Sequence, residues 1–297
     1  MFDLEILSSY SFQVVALGTF IMALAAGAVG CITVLKGQSL IGDAIGHASF
    51  PGIILAFMLF MQRDPILLMA GAIVSGTVAF IMIQVIRANS KLGLDSVLAV
   101  VLSSFFGLGM VLKSYIQGNQ SFSGASQSGL QNYIFGQAAY MLKADVKIIF
   151  AIAIPSILLL VIFYKELKVF VFDEIYSKTI GFSSKLLYGI IVLMTMGIIG
   201  TGLKIVGAIL ISSMLIVPAI TAMQWSNKFN VVLLIAALVG GMSSILGTYI
   251  STVFRGISTG PMIILIMTTF AFISLIVGPH GMIANLKMRR DFHESNF

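Results

Sequence analysis

Charged side chains are scarce in this chain of 297 residues, since Asp, Glu, Lys and Arg together make up 9% of it. Soluble domains carry about 25%. Apolar residues account for 59%, and the mean hydropathy is +1.07. This balance excludes a soluble globular enzyme and a disordered protein. It predicts an all-α, polytopic membrane protein.

Cysteine is nearly absent, and the sequence lacks clustered basic residues and the common catalytic motifs. The single cysteine, Cys31, excludes a disulfide scaffold and is typical of a small buried side chain. The net charge of +6 comes from basic residues spread singly between apolar runs, so no nucleic-acid partner is expected. No phosphate-binding loop, GxSxG or HExxH pattern occurs in the sequence. The chain is therefore not expected to be an enzyme, and any uphill transport would need energy from a partner or an ion gradient.

Nine apolar runs approach the length of about 20 residues that a bilayer span requires. They are residues 12–35, 41–60, 65–86, 94–115, 146–164, 186–201, 204–224, 229–253 and 261–279. Asp3 and Glu5 precede the first run where a secretory signal would carry Lys or Arg, so this run is expected to stay in the mature chain. The runs beside residues 200–202 (GTG) fit two short helices or one broken helix. We expect a single transmembrane domain over 1–297, with about eight or nine helices in a range of eight to ten.

The distribution of Lys and Arg sets the expected orientation. With a cytoplasmic C-terminal tail and alternating spans, the inside set is Lys36, Arg87, Lys91, Lys165, Lys168, Lys178, Lys185, Lys228, Lys287, Arg289 and Arg290. The outside set is Arg63, Lys113, Lys143, Lys147, Lys204 and Arg255. The larger inside set predicts an outside N-terminus and a cytoplasmic C-terminus.

Two connections are longer than a helical hairpin needs. Residues 116–145 form the first, an extracytoplasmic loop rich in Gly, Ser, Gln and Asn. Residues 165–185 form the second, which is cytoplasmic and mixes charged with aromatic side chains before Gly181. This pattern predicts a short surface helix capped by the glycine. The helix could dock onto another protein or lie on the lipid interface.

Ionisable residues inside an apolar span are costly and indicate function by default. Asp43 and His47 are four residues apart in the second span, so they lie on one helix face. Counted from Lys36, Asp43 is about 10 Å deep and His47 about 16 Å deep. A carboxylate and an imidazole together suit Mn, Fe or Zn. The alternative is that the two side chains hydrogen-bond each other and hold two helices together.

Glycines and a proline near Asp43 and His47 affect how the helix packs and whether it bends. Gly42 and Gly46 adjoin its face and would let another helix pack closely. Pro51 leaves the His47 carbonyl without its usual donor and predicts a kink, and Pro218 predicts another in the seventh run. Two side-chain ligands are too few for a complete metal site. We therefore expect a second copy across a two-fold axis, or a transient site with bound water.

Five groups of short segments, in order along the chain, carry a resemblance to a known family. They are 40–48 (LIGDAIGHA) with 51–52 (PG), 133–139 (YIFGQAA) before Asp145, 172–174 (FDE) with Gly181, 206–210 (VGAIL) running to 218–222 (PAITA), and 258–261 (STGP). Over about residues 12 to 280 the sequence resembles the permease subunits of bacterial ABC importers for manganese, zinc and iron. The outer segment looks most like that of the manganese-system permeases. Gly46 stands where many members carry serine.

The resemblance implies a multi-pass permease of the bacterial cytoplasmic membrane that dimerises with an identical or paralogous subunit. It also implies a cytoplasmic ABC ATPase dimer that uses the ATP, and an extracytoplasmic metal-binding protein that delivers the ion. No permanently bound cofactor is implied. The metal-path residues of the family correspond to Asp43 and His47. Its ATPase-coupling residues correspond to Phe172, Asp173, Glu174 and Gly181.

Three other functions compete with this interpretation. A gradient-driven metal carrier or channel would work without an ATPase and would need no role for 165–185. An intramembrane enzyme would need a substrate cleft beside its acid/base groups. A permease for siderophores or cobalamin is disfavoured, because an ionisable pair in the path suits a bare cation.

Overall fold

The computed structural model describes residues 7–62, 64–119, 122, 136, 138–254 and 256–284. The helices bounded within these ranges are α1 (Tyr10–Leu35), α2 (Ile41–Ala48), α3 (Phe50–Phe60), α4 (Pro65–Asn89), α5 (Leu94–Gly118), α6 (Lys143–Ile162), α7 (Tyr164–Phe172), α8 (Glu174–Thr179), α9 (Ser184–Ile205), α10 (Ala208–Met223), α11 (Phe229–Val253) and α12 (Thr259–Val277). A 3-10 turn, Ala138–Tyr140, precedes α6. The described part of the chain contains no strand. The expected all-α class is confirmed.

Eight helical stretches are long and apolar enough to cross a bilayer. They are α1, the pair α2 and α3, and α4, α5, α6, α9, α11 and α12. The ninth expected span is α10, which has only 16 residues. At 1.5 Å per residue it is about 24 Å long, which is shorter than a hydrocarbon core of about 30 Å. The described residues therefore contain eight helical stretches of spanning length and one shorter apolar helix, which agrees with the expected range of eight to ten.

The chain breaks between α9 and α10 at Val206 and Gly207 and not at residues 200–202. Helix α9 runs unbroken to Ile205. Gly207 then has a φ of 83°, a left-handed conformation that glycine adopts without strain. Gly136, from the long connection before α6, lies against the Val206 carbonyl so closely that any side chain there would overlap it. The break is therefore covered by this connection.

Helix α1 is the centre of the bundle and packs against α6, α9, α10 and α11. Small residues permit this close packing. A methyl group at Gly27 would lie 2.7 Å from the Ala236 carbonyl oxygen of α11, and one at Gly30 would overlap the Leu215 carbonyl oxygen of α10. Helices α4, α5, α6 and α12 are less buried, and their exposed apolar side chains face lipid or another subunit.

Two ion pairs mark the two ends of the bundle. Lys36, just after α1, pairs with Glu174 of α8 at 3.0 Å. At the opposite end, Lys204 of α9 pairs with Asp145 of α6. We call these ends the Lys36 end and the Asp145 end. Each pair joins residues that the predicted alternation of spans places on the same side of the membrane. Of the basic residues used for orientation, Arg63, Arg255, Lys287, Arg289 and Arg290 lie outside the described residues.

Candidate metal path and coupling segment

Helix α2 carries Asp43 and His47 on one face, one turn apart. His47 Nε2 lies 3.6 Å from Asp43 Oδ1, which is too long for a hydrogen bond. The side chains are 38% exposed for Asp43 and 21% exposed for His47. The pair therefore faces the outside of the single chain and keeps donor atoms available for a cation.

Helix α10 packs beside this pair along the two glycines of α2. A methyl group at Gly42 would come within 2.9 Å of Leu215 Cδ1, and one at Gly46 would lie 3.6 Å from Ser212 Oγ. Leu215 also contacts Gly30, which lies six residues before Lys36 on α1. Six residues of helix rise about 9 Å, so the contact with Leu215 brings Gly42 near a level of α1 that lies about 9 Å from Lys36.

Helix α5 covers the pair from another side. The imidazole of His47 meets the Phe106 ring edge-on, with ring centroids 5.2 Å apart and an interplanar angle of 85°. Phe106 in turn contacts Phe50 at the start of α3, at 6.0 Å between centroids. An edge-on aromatic contact fixes the orientation of the imidazole and leaves its nitrogens free for other partners.

The second span breaks at Ser49, two residues after His47. Helix α2 ends at Ala48, and α3 begins at Phe50 with Pro51 in its first turn. The Ala48 carbonyl accepts a hydrogen bond at 2.7 Å from the Ser75 hydroxyl of α4. Ser49 between the two helices keeps a helical backbone, with φ −74° and ψ −19°, so the kink expected from Pro51 stays a prediction. Pro218 lies inside α10, which continues through it.

No group of three or more His, Cys, Asp or Glu side chains that could hold a metal occurs among the residues placed by the structure. Asp43 and His47 thus stand as a two-ligand set within the described chain. A divalent first-row cation takes four to six ligands, so water or a second subunit would have to supply the others.

The segment 165–185 forms two short helices where the sequence predicts one. Asp173 has an extended backbone, with φ −147° and ψ 95°, and its Oδ1 accepts a hydrogen bond from the Tyr176 amide at 2.8 Å. An aspartate in this geometry ends one helix and caps the next. Gly181 follows α8 with a φ of 92°, as expected for a glycine that ends a helix.

Three large apolar side chains near the middle of this segment are exposed. Phe172 is 60% exposed, Ile175 77% and Tyr176 54%. Leu167 and Phe170 are buried against the bundle. Large apolar side chains that are exposed on a protein often mark a contact surface. We therefore name Phe172, Ile175 and Tyr176 the coupling patch.

Glu174, whose side chain is 33% exposed, pairs with Lys36 of the bundle and with Lys178 of its own helix. Its carboxylate lies 3.0 Å from Lys36 Nζ and 3.1 Å from Lys178 Nζ, and accepts a weaker hydrogen bond of 3.4 Å from the Tyr188 hydroxyl. Burial raises the pKa of this carboxyl, but the hydrogen bonds and charges of Lys36 and Lys178 outweigh burial and hold its pKa below the usual value. The resulting stabilisation is complete above the pKa of an unfolded Glu and is lost as the pH falls through the lowered pKa.

Sequence reasoning missed Lys36 as a partner of Glu174. The two residues are 138 positions apart, and no local pattern links them. It also missed the pairing of Asp145 with Lys204, although it placed both at the same end. Asp145 is buried and accepts a hydrogen bond at 2.9 Å from the Leu142 amide, and this bond caps the start of α6.

Within the segment 133–139, residues 133–135 and 137 lie outside the described residues.

Residues 8–278 match the ABC 3 transport family. The chain is 37% identical over 288 residues to TroC, the membrane protein of a zinc transport system in Treponema pallidum (strain Nichols), covering 97% of this chain and 96% of the relative. It is 39% identical over 267 residues to MntC, the membrane protein of a manganese transport system in Bacillus subtilis (strain 168), covering 90% of this chain and 61% of that relative. PsaBC from Streptococcus pneumoniae, solved in complex with Fab, superposes with a TM-score of 0.82 at 30% identity, covering 96% of this chain and 99% of that one.

Proposed function

The chain belongs to the ABC 3 transport family and is the membrane-spanning permease of a metal ABC importer, and we propose that the ion it carries is manganese. It is a transport subunit and not an enzyme, since ATP hydrolysis belongs to a separate subunit of such importers. The observation that carries the proposal is the Asp43 and His47 pair. It is ionisable, partly exposed, and placed inside a membrane span.

The exposure of this pair supports a path between two subunits. A charged carboxylate inside the bilayer cannot face lipid at low cost, so it faces a partner or a water-filled cavity. A second permease, identical or paralogous, would place a matching surface opposite α2. Two such pairs would supply four side-chain ligands, which is enough for a first-row cation.

The relatives support manganese among the metals of the family, since MntC belongs to a manganese transport system and is 39% identical to this chain. An oxygen and an imidazole nitrogen suit Mn, Fe or Zn, and the lack of a thiolate argues only against copper(I). Zinc is the second candidate, because TroC belongs to a zinc transport system. Iron is the third, because YfeD of Yersinia pestis belongs to a chelated-iron system and is 34% identical over 261 residues.

Metal choice is tested by uptake of radioactive manganese into vesicles that hold this chain with its partner permease and ATPase. We expect unlabelled manganese to abolish the signal at concentrations where zinc and iron leave most of it. If zinc displaced manganese at lower concentration, or if zinc alone were transported, the choice of manganese would be wrong and the family would stand.

We infer that the importer works by alternating access in a bacterial cytoplasmic membrane. An extracytoplasmic binding protein delivers the ion at the Asp145 end. ATP binding closes the ATPase dimer at the Lys36 end, and the coupling patch transmits this movement to the bundle. The ion then passes Asp43 and His47 toward the cytoplasm. The exposed apolar side chains of the patch support its role as the docking point.

Replacing Ile175 by Asp is expected to reduce copurification of the ATPase by at least about tenfold, because central apolar residues dominate such interfaces. Ile175 is 77% exposed, so the permease itself keeps its fold. Asn227→Asp is the matched control, since it adds the same charge in an exposed loop at the same end. Equal copurification of the two variants would show that the ATPase docks elsewhere.

A further inference from the structure

Three helical elements of the bundle meet the ammonium of Lys36, which follows the end of α1. Its Nζ lies 3.9 Å from the centroid of the Phe170 ring on α7 and 4.8 Å from the centroid of the Tyr188 ring on α9. The Glu174 carboxylate of α8 lies 3.0 Å away. We call Lys36, Phe170, Glu174 and Tyr188 the Lys36 cage.

The Lys36 cage is largely closed to water. The Lys36 side chain is only 10% exposed, so its charge has exchanged most of its hydration for one carboxylate and two ring faces. The two rings meet edge-on, with their centroids 4.9 Å apart, which fixes their positions. Removing either charge would leave the other one partly buried without compensation.

A tight turn connects the Lys36 cage to the helix that carries the metal pair. The Gly37 amide donates to the Val34 carbonyl at 3.0 Å, and the Gln38 amide donates to the Thr33 carbonyl at 2.8 Å. The Ile41 amide then donates to the Gln38 carbonyl at 3.1 Å, at the start of α2. These hydrogen bonds and the burial of Gln38 hold the short connection between Lys36 and α2 against the end of α1.

A small internal cavity lies between the Lys36 cage and α2. It is lined by residues that include Lys36 and Tyr188 of the cage, Gln38 of the turn, and Ile41 and Ile45 of α2. Ile45 lies between Asp43 and His47 in sequence and faces the core. The Lys36 cage and the core-facing side of α2 therefore border one shared packing defect, which is large enough for about one water molecule.

We propose that the Lys36 cage is the mechanical link between the coupling segment and the metal-carrying helix α2. In this role Glu174 is a positioning residue, which acts through Lys36 and does not touch the ATPase. The coupling patch receives the movement of the ATPase, and the pair Glu174–Lys36 passes it to the turn before α2. The inference rests on the proposed function, since it assigns the route by which ATP use reaches the ion path.

The test compares ions transported per ATP hydrolysed in vesicles that hold the complete importer, with radioactive manganese as the probe. Lys36→Met keeps the length of the side chain and removes its charge, and Glu174→Gln removes the opposite charge. Each variant is expected to lower the ratio of ions transported per ATP by about tenfold. This factor corresponds to the free energy that one hydrogen bond to a charged group contributes. The double variant is expected to be no worse than either single one, because both remove the same link. Lys36→Arg is expected to restore most of the ratio, because Arg also stacks on aromatic rings.

Lys178→Met is the matched control. Lys178 contacts the same carboxylate, but it belongs to the same short helix as Glu174 and is 57% exposed, so it joins no two elements. We expect a wild-type ratio for this variant, and wild-type ATPase copurification for all variants because the coupling patch is intact. If Lys36→Met fails to fold, the ratio of ions transported per ATP in Glu174→Gln alone tests the role of the Lys36 cage.

Three results would overturn the role of the Lys36 cage while the wild type still transports. They are a wild-type ratio in Glu174→Gln, a double variant whose loss is the product of the two single losses, and an equal loss in Lys178→Met. Absence of ATP-driven manganese uptake in the wild type would instead overturn the proposed function, and this inference with it.

Discussion

Replacing Asp43 by Asn is expected to abolish metal uptake and to leave folding and ATPase assembly intact. The amide has almost the same size and keeps an oxygen, but it carries no negative charge to compensate a cation that has lost its water. Asp43 is 38% exposed and makes no hydrogen bond within the described chain at the distances observed, so the fold does not depend on its charge. The measurement is ATP-dependent uptake of radioactive manganese, with copurification of the ATPase measured in parallel.

Asp95→Asn is the matched control for this change. Asp95 is an exposed carboxylate in the first turn of α5, and its neutralisation is expected to leave uptake near the wild-type rate. His47→Ala should resemble Asp43→Asn, since it removes the other ligand. Uptake that survives in Asp43→Asn would show that the ion takes another path.

Replacing Gly30 by Ala is expected to cause the largest loss of stability among single changes in α1. The added methyl group would overlap the Leu215 carbonyl oxygen, which belongs to the backbone of α10 and cannot rotate away. Overpacking of this kind costs about 1–3 kcal/mol or more. We expect the midpoint of thermal unfolding in detergent to fall by about 5 °C or more. Since Leu215 also borders Gly42, uptake should fall as well.

Gly189→Ala separates this steric effect from the general effect of a helical glycine. Gly189 lies inside α9, and a methyl group there would meet nothing within 4 Å. Ala is a better helix former than Gly by about 1 kcal/mol, so the midpoint should stay constant or rise slightly. Equal destabilisation by Gly30→Ala and Gly189→Ala would contradict the packing of α1 against α10.

Composition and spacing predict much of the fold and the centre of the candidate site. Apolar run lengths predict the spans, because a bilayer demands a fixed length of helix. The spacing of Asp43 and His47 predicts their shared face, because this effect depends on neighbours along one helix. The interruption at Ser49 lies beside Pro51, where the sequence predicts a kink. The coupling role of 165–185 and the partners came from the family resemblance and not from these patterns.

Features that depend on distant contacts could not be predicted in the same way. The glycines at residues 200 and 202 predict a break in the helix there, but in the structure they allow close packing inside an unbroken α9. A methyl group at Gly200 would lie 2.7 Å from Ile73, and one at Gly202 would lie 2.6 Å from Ile211. The pairing of Lys36 with Glu174 joins residues 138 positions apart, which no periodicity can indicate.

Uptake of radioactive manganese into vesicles that hold this chain with its partner permease and ATPase, compared with and without ATP, tests the proposed function most directly. We expect accumulation only when ATP is present, and its loss in Asp43→Asn and His47→Ala. Accumulation that proceeds equally without ATP would contradict an ATP-driven importer and favour a gradient-driven carrier.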